Sequence, residues 1–229
     1  MNKKNIFIAC DTTNIKKLKN IIQNTQSNQI NVGYKFGLEL FNSKNGRKFI
    51  SKLKNKKIWL DLKLYDIPNT VFSSIHSLKD LKNISYLTVH ISGGLKMLKF
   101  AKKAAKQINS KLKIIGVTIL TSFSNKSIKE IGFSNSIEKI VKKQINIAKK
   151  ARLNGVVCSG YEAKIIKKKF KGEIITPGIR FAMDKSHDQK RVMSPSKAFA
   201  NGATSIVIGR SITAGNIKKN FKKLIISLK

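Results

Sequence analysis

The chain has only eleven acidic residues among 229, yet two of them fall within six positions, in the run Asp61-Leu62-Lys63-Leu64-Tyr65-Asp66. In an extended strand, residues i and i+2 project to the same side. Asp61 and Lys63 therefore share a face, and Asp66 follows in the loop. A carboxylate, an ammonium and a second carboxylate this close form a coupled array, in which each opposite charge keeps its neighbours ionised despite partial burial. Such an array either ties down a strand end as a structural ion pair or presents fixed charge to a reacting group. The spacing alone fits both. Ile67-Pro68-Asn69-Thr70 comes next and specifies a tight strand-to-helix turn. Proline disfavours helical backbone in its predecessor and suits the first turn of a helix.

Charges held this way need a rigid scaffold. Short runs rich in Val and Ile, bounded by Gly, Asn, Asp or Ser, recur at Ile6–Cys10, Ile30–Phe36, Ile58–Leu62, Ile84–Val89, Ile114–Leu120, Gly155–Cys158, Glu173–Thr176 and Thr204–Ile208. They read as strands of a buried parallel sheet. Segments of helical period separate them. In Ser136–Leu153, the residues Ile137, Ile140, Val141, Gln144, Ile145, Ala148 and Ala151 form one stripe, while Lys139, Lys142, Lys143, Lys149 and Lys150 face water. An α/β chain of this pattern suits a (β/α)8 TIM barrel, usually roughly 250 residues, as a single domain over 1–229. Periodicity alone also admits an open, doubly wound sheet.

In a barrel, functional groups emerge at the C-terminal ends of strands. Those ends are Asp11, Lys35, Asp61 with Lys63, His90, Thr121-Ser122, Ser159, Gly178 with Arg180, and Gly209-Arg210. The stretch Phe181 to Met193 lacks apolar periodicity and is expected to be a mobile loop over that face.

Lys+Arg 47 against Asp+Glu 11 gives a net charge of +36. Only Arg47, Arg152, Arg180, Arg191 and Arg210 are arginines; the lysines travel with abundant Asn and Ile. Those three residue types share AT-rich codons, so base composition is a sufficient cause. The charge predicts non-specific attraction to polyanions that fades with salt. Without clustered arginines or an aromatic RNA-binding motif, no specific nucleic-acid partner is expected. Cys10 and Cys158 end apolar runs and read as buried thiols in a reducing compartment. Three histidines and eleven acids show no metal-ligand spacing, so no metal is expected. The basic N-terminus leads into too short an apolar run for a signal peptide. No run approaches the roughly 18 residues of a membrane span. The expectation is a soluble cytoplasmic protein with no membrane partner.

Taken together, the motifs resemble the orotidine 5'-phosphate decarboxylase family of bacterial type. Asp61-Leu62-Lys63-Leu64-Tyr65-Asp66-Ile67-Pro68-Asn69-Thr70 is similar to that family's D-x-K-x-x-D-I-P-x-T signature. Ile8-Ala9-Cys10-Asp11 resembles its first strand and Tyr34-Lys35-Phe36-Gly37-Leu38-Glu39-Leu40-Phe41 its second. Val89-His90-Ile91-Ser92-Gly93-Gly94, Val117-Thr118-Ile119-Leu120-Thr121-Ser122 and Gly155-Val156-Val157-Cys158-Ser159 match later strand ends. Thr176-Pro177-Gly178-Ile179-Arg180, Asp188-Gln189 and Val207-Ile208-Gly209-Arg210-Ser211-Ile212-Thr213 follow in order. D-x-K-x-x-D is shared with a related sugar-phosphate decarboxylase; I-P-N-T, P-G-I-R and I-G-R-x-I-T carry the specificity. Phe181 stands where a proline is common, and Asn154 where an Asp often precedes G-V-V-C-S.

The resemblance implies a TIM barrel that converts orotidine 5'-monophosphate to uridine 5'-monophosphate and carbon dioxide, with no cofactor and no metal. It implies that Lys63 stabilises charge at C6 and protonates it. Asp61 would lie beside the substrate carboxylate, and Lys35 and Asp66 would complete the array. Asp11 and Thr70 would bind the ribose, and Thr121 and Ser122 the pyrimidine edge. Arg180, Gln189, Gly209 and Arg210 would hold the phosphate, with Gln189 coupling it to loop closure. It further implies a homodimer in which Asp66 and Thr70 serve the partner's site. His90 is expected to be a neutral, hydrogen-bonded histidine, and Ser159 and Glu162 a helix cap and a first-turn acid. Two alternatives remain at this level. One is a metal-dependent sugar-phosphate decarboxylase or epimerase on the same barrel; the other is a basic polyanion-binding protein.

Overall fold

In the computed structural model, which describes residues 3–181 and 192–228, the Val- and Ile-rich runs pair in sequence order. The strands are β1 (Asn5–Ala9), β2 (Asn31–Gly37), β3 (Lys57–Leu64), β4 (Ile84–His90), β5 (Lys113–Val117), β6 (Gly155–Val157), β7 (Glu173–Ile179) and β8 (Ser205–Ile208). All neighbours run parallel, and β8 returns to β1, so the sheet is a closed eight-stranded barrel and not an open one. Around it lie α1 (Ile15–Asn24), α2 (Leu38–Phe41), α3 (Gly46–Ser51), α4 (Pro68–His76), α5 (Gly94–Ile108), α6 (Asn125–Glu130), α7 (Ile137–Lys150), α8 (Gly160–Lys167), α9 (Pro195–Ala200), α10 (Arg210–Thr213) and α11 (Ile217–Ser227). Among the described residues, no helix is long and apolar enough to cross a membrane.

Strand alternation divides the apolar side chains into two cores. Ile6 and Ile8 face the helices, whereas Phe7 and Ala9 face the barrel axis with Trp59, Tyr86, Ile115, Val117, Val157, Ile175 and Val207. Near the base, Phe7 meets Trp59 and Tyr86 edge-on, with ring centroids 4.9 and 5.0 Å apart. Gly33 makes this packing possible, since a Cβ there would come within 2.6 Å of the Phe7 ring. The Tyr86 hydroxyl donates to the Glu173 carboxylate at 3.1 Å, and Lys113 pairs with the same group. The outer core is built as the helical periodicity requires. In α7 the stripe Ile137, Ile140, Val141, Gln144, Ile145 and Ala148 is buried, and the Ser136 side chain caps the helix by accepting the Lys139 N–H.

Three strand ends differ from their sequence pattern by two residues or more, each for a local reason. β5 stops at Val117 instead of reaching Leu120, because β6 is only three residues long. Both the N–H and the hydroxyl of Thr118 donate to Val157 O, at 3.1 and 2.9 Å, and the ladder ends there. β7 runs past Thr176 through a bulge. Thr176 pairs with Ile206 and Ile179 with Ile208, so Pro177 and Gly178 together oppose Val207, and Gly178 adopts φ +75°. β3 bows further. Leu60 pairs with Leu87 and Leu64 with Val89, so Asp61, Leu62 and Lys63 oppose Thr88 alone, and Lys63 takes φ +50°. Bulges of this kind re-aim side chains, and both occur at the same end of the barrel.

The loop expected over 181–193 falls largely outside the described residues, but its ends are joined. The Arg180 N–H donates to Met193 O and the Met193 N–H to Gly178 O, both at 3.1 Å. Phe181 is buried, with the Lys223 ammonium 4.7 Å from its ring centroid.

Lys102, on α5, is half-buried. Its Nζ donates to Asn154 Oδ1 at 2.7 Å, an oxygen that also accepts the Ile114 N–H at 3.1 Å. Burial holds this ammonium below the ordinary lysine range. Asn154→Asp preserves both acceptor bonds and gives the ammonium an opposite charge. We expect a gain of about 1 kcal/mol, the difference between a neutral and a charge-assisted hydrogen bond. That corresponds to a melting temperature higher by about 2–4 °C. Thermal melts at neutral pH check this, and the gain should vanish in a Lys102→Met background.

Candidate active site

β1, β2 and β3 end side by side, and each carries charge to the rim. Ala9 pairs with Lys35 and Gly37 with Asp61, a register that sets Asp11, Lys35 and Asp61 in neighbouring positions. Lys35 Nζ lies 3.2 Å from Asp11 Oδ1 and 3.3 Å from Asp61 Oδ2, and Lys63 Nζ lies 2.8 Å from the same Asp61 oxygen. Thr88 on β4 occupies the other oxygen: its hydroxyl donates to Asp61 Oδ1 at 2.9 Å and accepts the Lys63 N–H at 3.0 Å. The signs alternate from Asp11 to Lys63 across three strands.

Burial divides this row into an inner pair and two outer groups. The side chains of Asp61 and Lys35 are 10% and 12% exposed, against 35% for Lys63 and 61% for Asp11. Burial alone would push the Asp61 carboxyl up. The Lys35 and Lys63 ammoniums, with hydrogen bonds from Lys63 and Thr88, outweigh it and hold the group below the usual carboxylate range. Burial would likewise draw Lys35 down, but Asp61 and Asp11 keep it above the usual lysine range. The inner pair is therefore ionised on both sides at neutral pH. His90, at the tip of β4, is held below the ordinary imidazole range by burial and by the Lys63 ammonium, against a smaller pull from Asp61. It is neutral at neutral pH.

The array opens into a cavity of about 320 Å³, within the range of roughly 300–1,000 Å³ typical of small-molecule sites. Asp11, Lys35, Asp61, Lys63, Thr121, Ser122, Arg180, Gly209 and Arg210 all line it, over apolar walls from Trp59, Val117, Val157 and Val207. Arg180 follows β7 and Arg210 follows β8, so two guanidiniums share the cavity with the array. Arg180 is buried, and its Nη1 donates to Ile179 O at 2.9 Å. Gly209 precedes α10, and a Cβ there would come 3.3 Å from that of Ala9. Ser159 and Glu162 form a capping box on α8, with the Ser159 N–H donating to the Glu162 carboxylate at 2.9 Å.

Asp66 and Thr70, expected to serve a partner's site, stand apart from this chain's own cavity. Asp66 is exposed beyond the β3 bow, where its Oδ1 accepts the Ile67 N–H at 2.6 Å, and Thr70 is exposed in the first turn of α4. Within one chain the row ends at Asp11, because the β1–β2 register brings Asp11 against Lys35, while Asp66 lies exposed beyond the β3 bow. Gln189 lies outside the described residues.

Two features escaped the sequence reading, Thr88 and the pairing of Asp11 with Lys35. Thr88 had a signal: it is a hydroxyl in the strand Ile84-Ser85-Tyr86-Leu87-Thr88-Val89-His90, two residues from an inward-facing Tyr86. Among the described residues, no three of His, Cys, Asp or Glu converge to hold a metal ion.

Residues 4–223 match the family model described as "Orotidine 5'-phosphate decarboxylase / HUMPS family". The chain is 41% identical over 228 residues to the orotidine 5'-phosphate decarboxylase of Fusobacterium nucleatum, covering 97% of this chain and 94% of that protein. It is 42% identical over 231 residues to that of Buchnera aphidicola from Acyrthosiphon pisum, covering 98% and 94%. The crystal structure of orotidine 5'-phosphate decarboxylase from Lactobacillus acidophilus superimposes with a TM-score of 0.84 at 31% identity, covering 99% of this chain and all of that one.

Proposed function

Because the chain belongs to the orotidine 5'-phosphate decarboxylase / HUMPS family, we propose that it converts orotidine 5'-monophosphate to uridine 5'-monophosphate and carbon dioxide, using its own side chains in place of a metal or cofactor. The observation that carries this reading is the row Asp11–Lys35–Asp61–Lys63 opening into a cavity that also holds Arg180 and Arg210.

In this reading the C6–carboxylate bond breaks, its electron pair stays on C6, and the pyrimidine ring delocalises that charge poorly. Lys63 Nζ supplies fixed positive charge to the developing carbanion and then gives it a proton, and solvent restores the ammonium. Asp61 stands beside the substrate carboxylate, a like-charge contact relieved as carbon dioxide departs. Lys35 keeps Asp61 ionised, so Asp61 can keep Lys63 aimed. Arg210, Arg180 and the backbone at Gly209 receive the phosphate, where a planar guanidinium suits two oxygens at once. Gln189 would join them. Binding energy gained at this remote group positions C6 over Lys63. Asp11 serves the ribose while fixing Lys35, and Thr121 and Ser122 serve the pyrimidine edge.

Asp66 and Thr70 fit a homodimer in which each chain lends them to its partner's site. Exposed Tyr65 and Ile67 flank Asp66 and offer apolar surface for such an interface. A monomer in sedimentation at assay concentration would remove this part of the reading.

The deciding experiment follows the loss of orotidylate absorbance with and without EDTA. We expect turnover to be unchanged by the chelator. Activity abolished by EDTA and restored by magnesium would shift the reading to the metal-dependent sugar-phosphate enzymes on this barrel.

A further inference from the structure

We propose that Thr88 is a positioning residue for decarboxylation, its one hydroxyl fixing both the Asp61 carboxylate and the backbone at Lys63 so that Nζ points into the cavity. The inference rests on the roles given above to Asp61 and Lys63.

Thr88 is the single β4 residue opposite the three-residue bow of β3, and it is fully buried. Where β3 leaves its regular ladder, the Lys63 N–H donates to the Thr88 hydroxyl at 3.0 Å. Lys63 stands there at φ +50°. A non-glycine residue stays in the left-handed region where its surroundings over-determine it. The same hydroxyl spends its proton on Asp61 Oδ1 at 2.9 Å.

That second bond is selective. Both ammoniums address Asp61 Oδ2, Lys63 at 2.8 Å and Lys35 at 3.3 Å. A donor on Oδ1 alone makes the two oxygens inequivalent and stops the carboxylate from turning about Cβ–Cγ. A hydroxyl can give one hydrogen and accept another at once, which is the combination used here. Valine has the same shape and can do neither. Serine keeps the hydroxyl and loses only the methyl.

The test compares wild type, Thr88→Val and Thr88→Ser in steady-state orotidylate turnover, with uridine 5'-monophosphate affinity and thermal melts measured alongside. For Thr88→Val we expect kcat to fall about 100-fold, the usual cost of a small misalignment, with KM and nucleotide affinity within about 3-fold. Thr88→Ser should recover kcat to within about 5-fold of wild type even if it melts no higher than the valine variant, since its hydroxyl can restore both bonds. Thr88→Ala carries the same expectation as valine if valine prevents folding. A hydroxyl-free variant that keeps more than a fifth of wild-type kcat, or a serine variant as slow as valine, overturns the inference alone. Wild type without turnover overturns the parent reading, and this inference with it.

Discussion

Lys63→Ala is expected to lower kcat on orotidine 5'-monophosphate by about 10⁵-fold while leaving the barrel folded. General acid catalysis typically contributes about 10²–10⁴-fold. A positioned charge or donor at the developing anion contributes about 10²–10³-fold. One ammonium in this site does both. The fold should tolerate the loss because Lys63 is the more exposed of the two lysines on Asp61. Asp61 would still be held by Lys35 and Thr88. Alanine accepts φ +50° about as well as lysine does, both being Cβ-bearing residues without branching there. The absorbance assay and a thermal melt on the same preparation check both halves. A variant retaining more than about a hundredth of wild-type kcat, more than either contribution alone could leave, would end the proposed role for Lys63.

Asp61→Asn should be costly twice over, in turnover and in stability. The wild-type carboxylate faces two ammoniums, one of them almost fully buried with it. Removing one partner of a buried ion pair typically costs about 3–5 kcal/mol, because the remaining charge stays buried. Turnover should fall at least about 10³-fold as Lys63 loses the group that aims it. The pH dependence identifies the cause. In the wild type Lys35 is raised above its unfolded value near about 10.4, so its contribution is fully present below that pH and is lost only as pH rises through the higher folded value. Asp61 is depressed, so its contribution is present above the ordinary carboxylate range and is lost as pH falls through the lower folded value. In the variant, burial acts on Lys35 with only Asp11 to oppose it, and the folded value drops. The stability deficit should then be largest near neutrality and narrow as pH climbs toward 10, where the buried amine can shed its proton. Thermal melts at several pH values between about 7 and 10 read this directly, a window bounded above by the ordinary lysine value. A deficit that is flat across that window would mean Lys35 is not the strained group.

How much of this was legible beforehand varies from residue to residue. Asp61 and Lys63 could be placed on one face from strand alternation, and they do meet, but the route is not a regular strand. The bow that sets Lys63 at φ +50° depends on how β3 registers against β4, which no local pattern encodes. Asp11 was visible as a strand-end acid, but its contact with Lys35 follows from the pairing of Ala9 with Lys35 between two strands separated by α1. Thr121 and Ser122 line the cavity, although β5 ends earlier than its apolar run, because the length of β6 sets that limit. Asp66 and Thr70 belong to the same short motif as Lys63 yet face outward. A motif fixes spacing along the chain, while direction comes from the turn that carries it. Closure of the barrel was the least local feature of all, since eight strands of this period can also lie open.

The interlocked rings of Phe7, Trp59 and Tyr86 near the bottom give the cylinder the character of a blind well, not a tunnel. Traffic in both directions must therefore pass a single rim. In the proposed reaction, the gaseous fragment and the larger nucleotide would share that one exit.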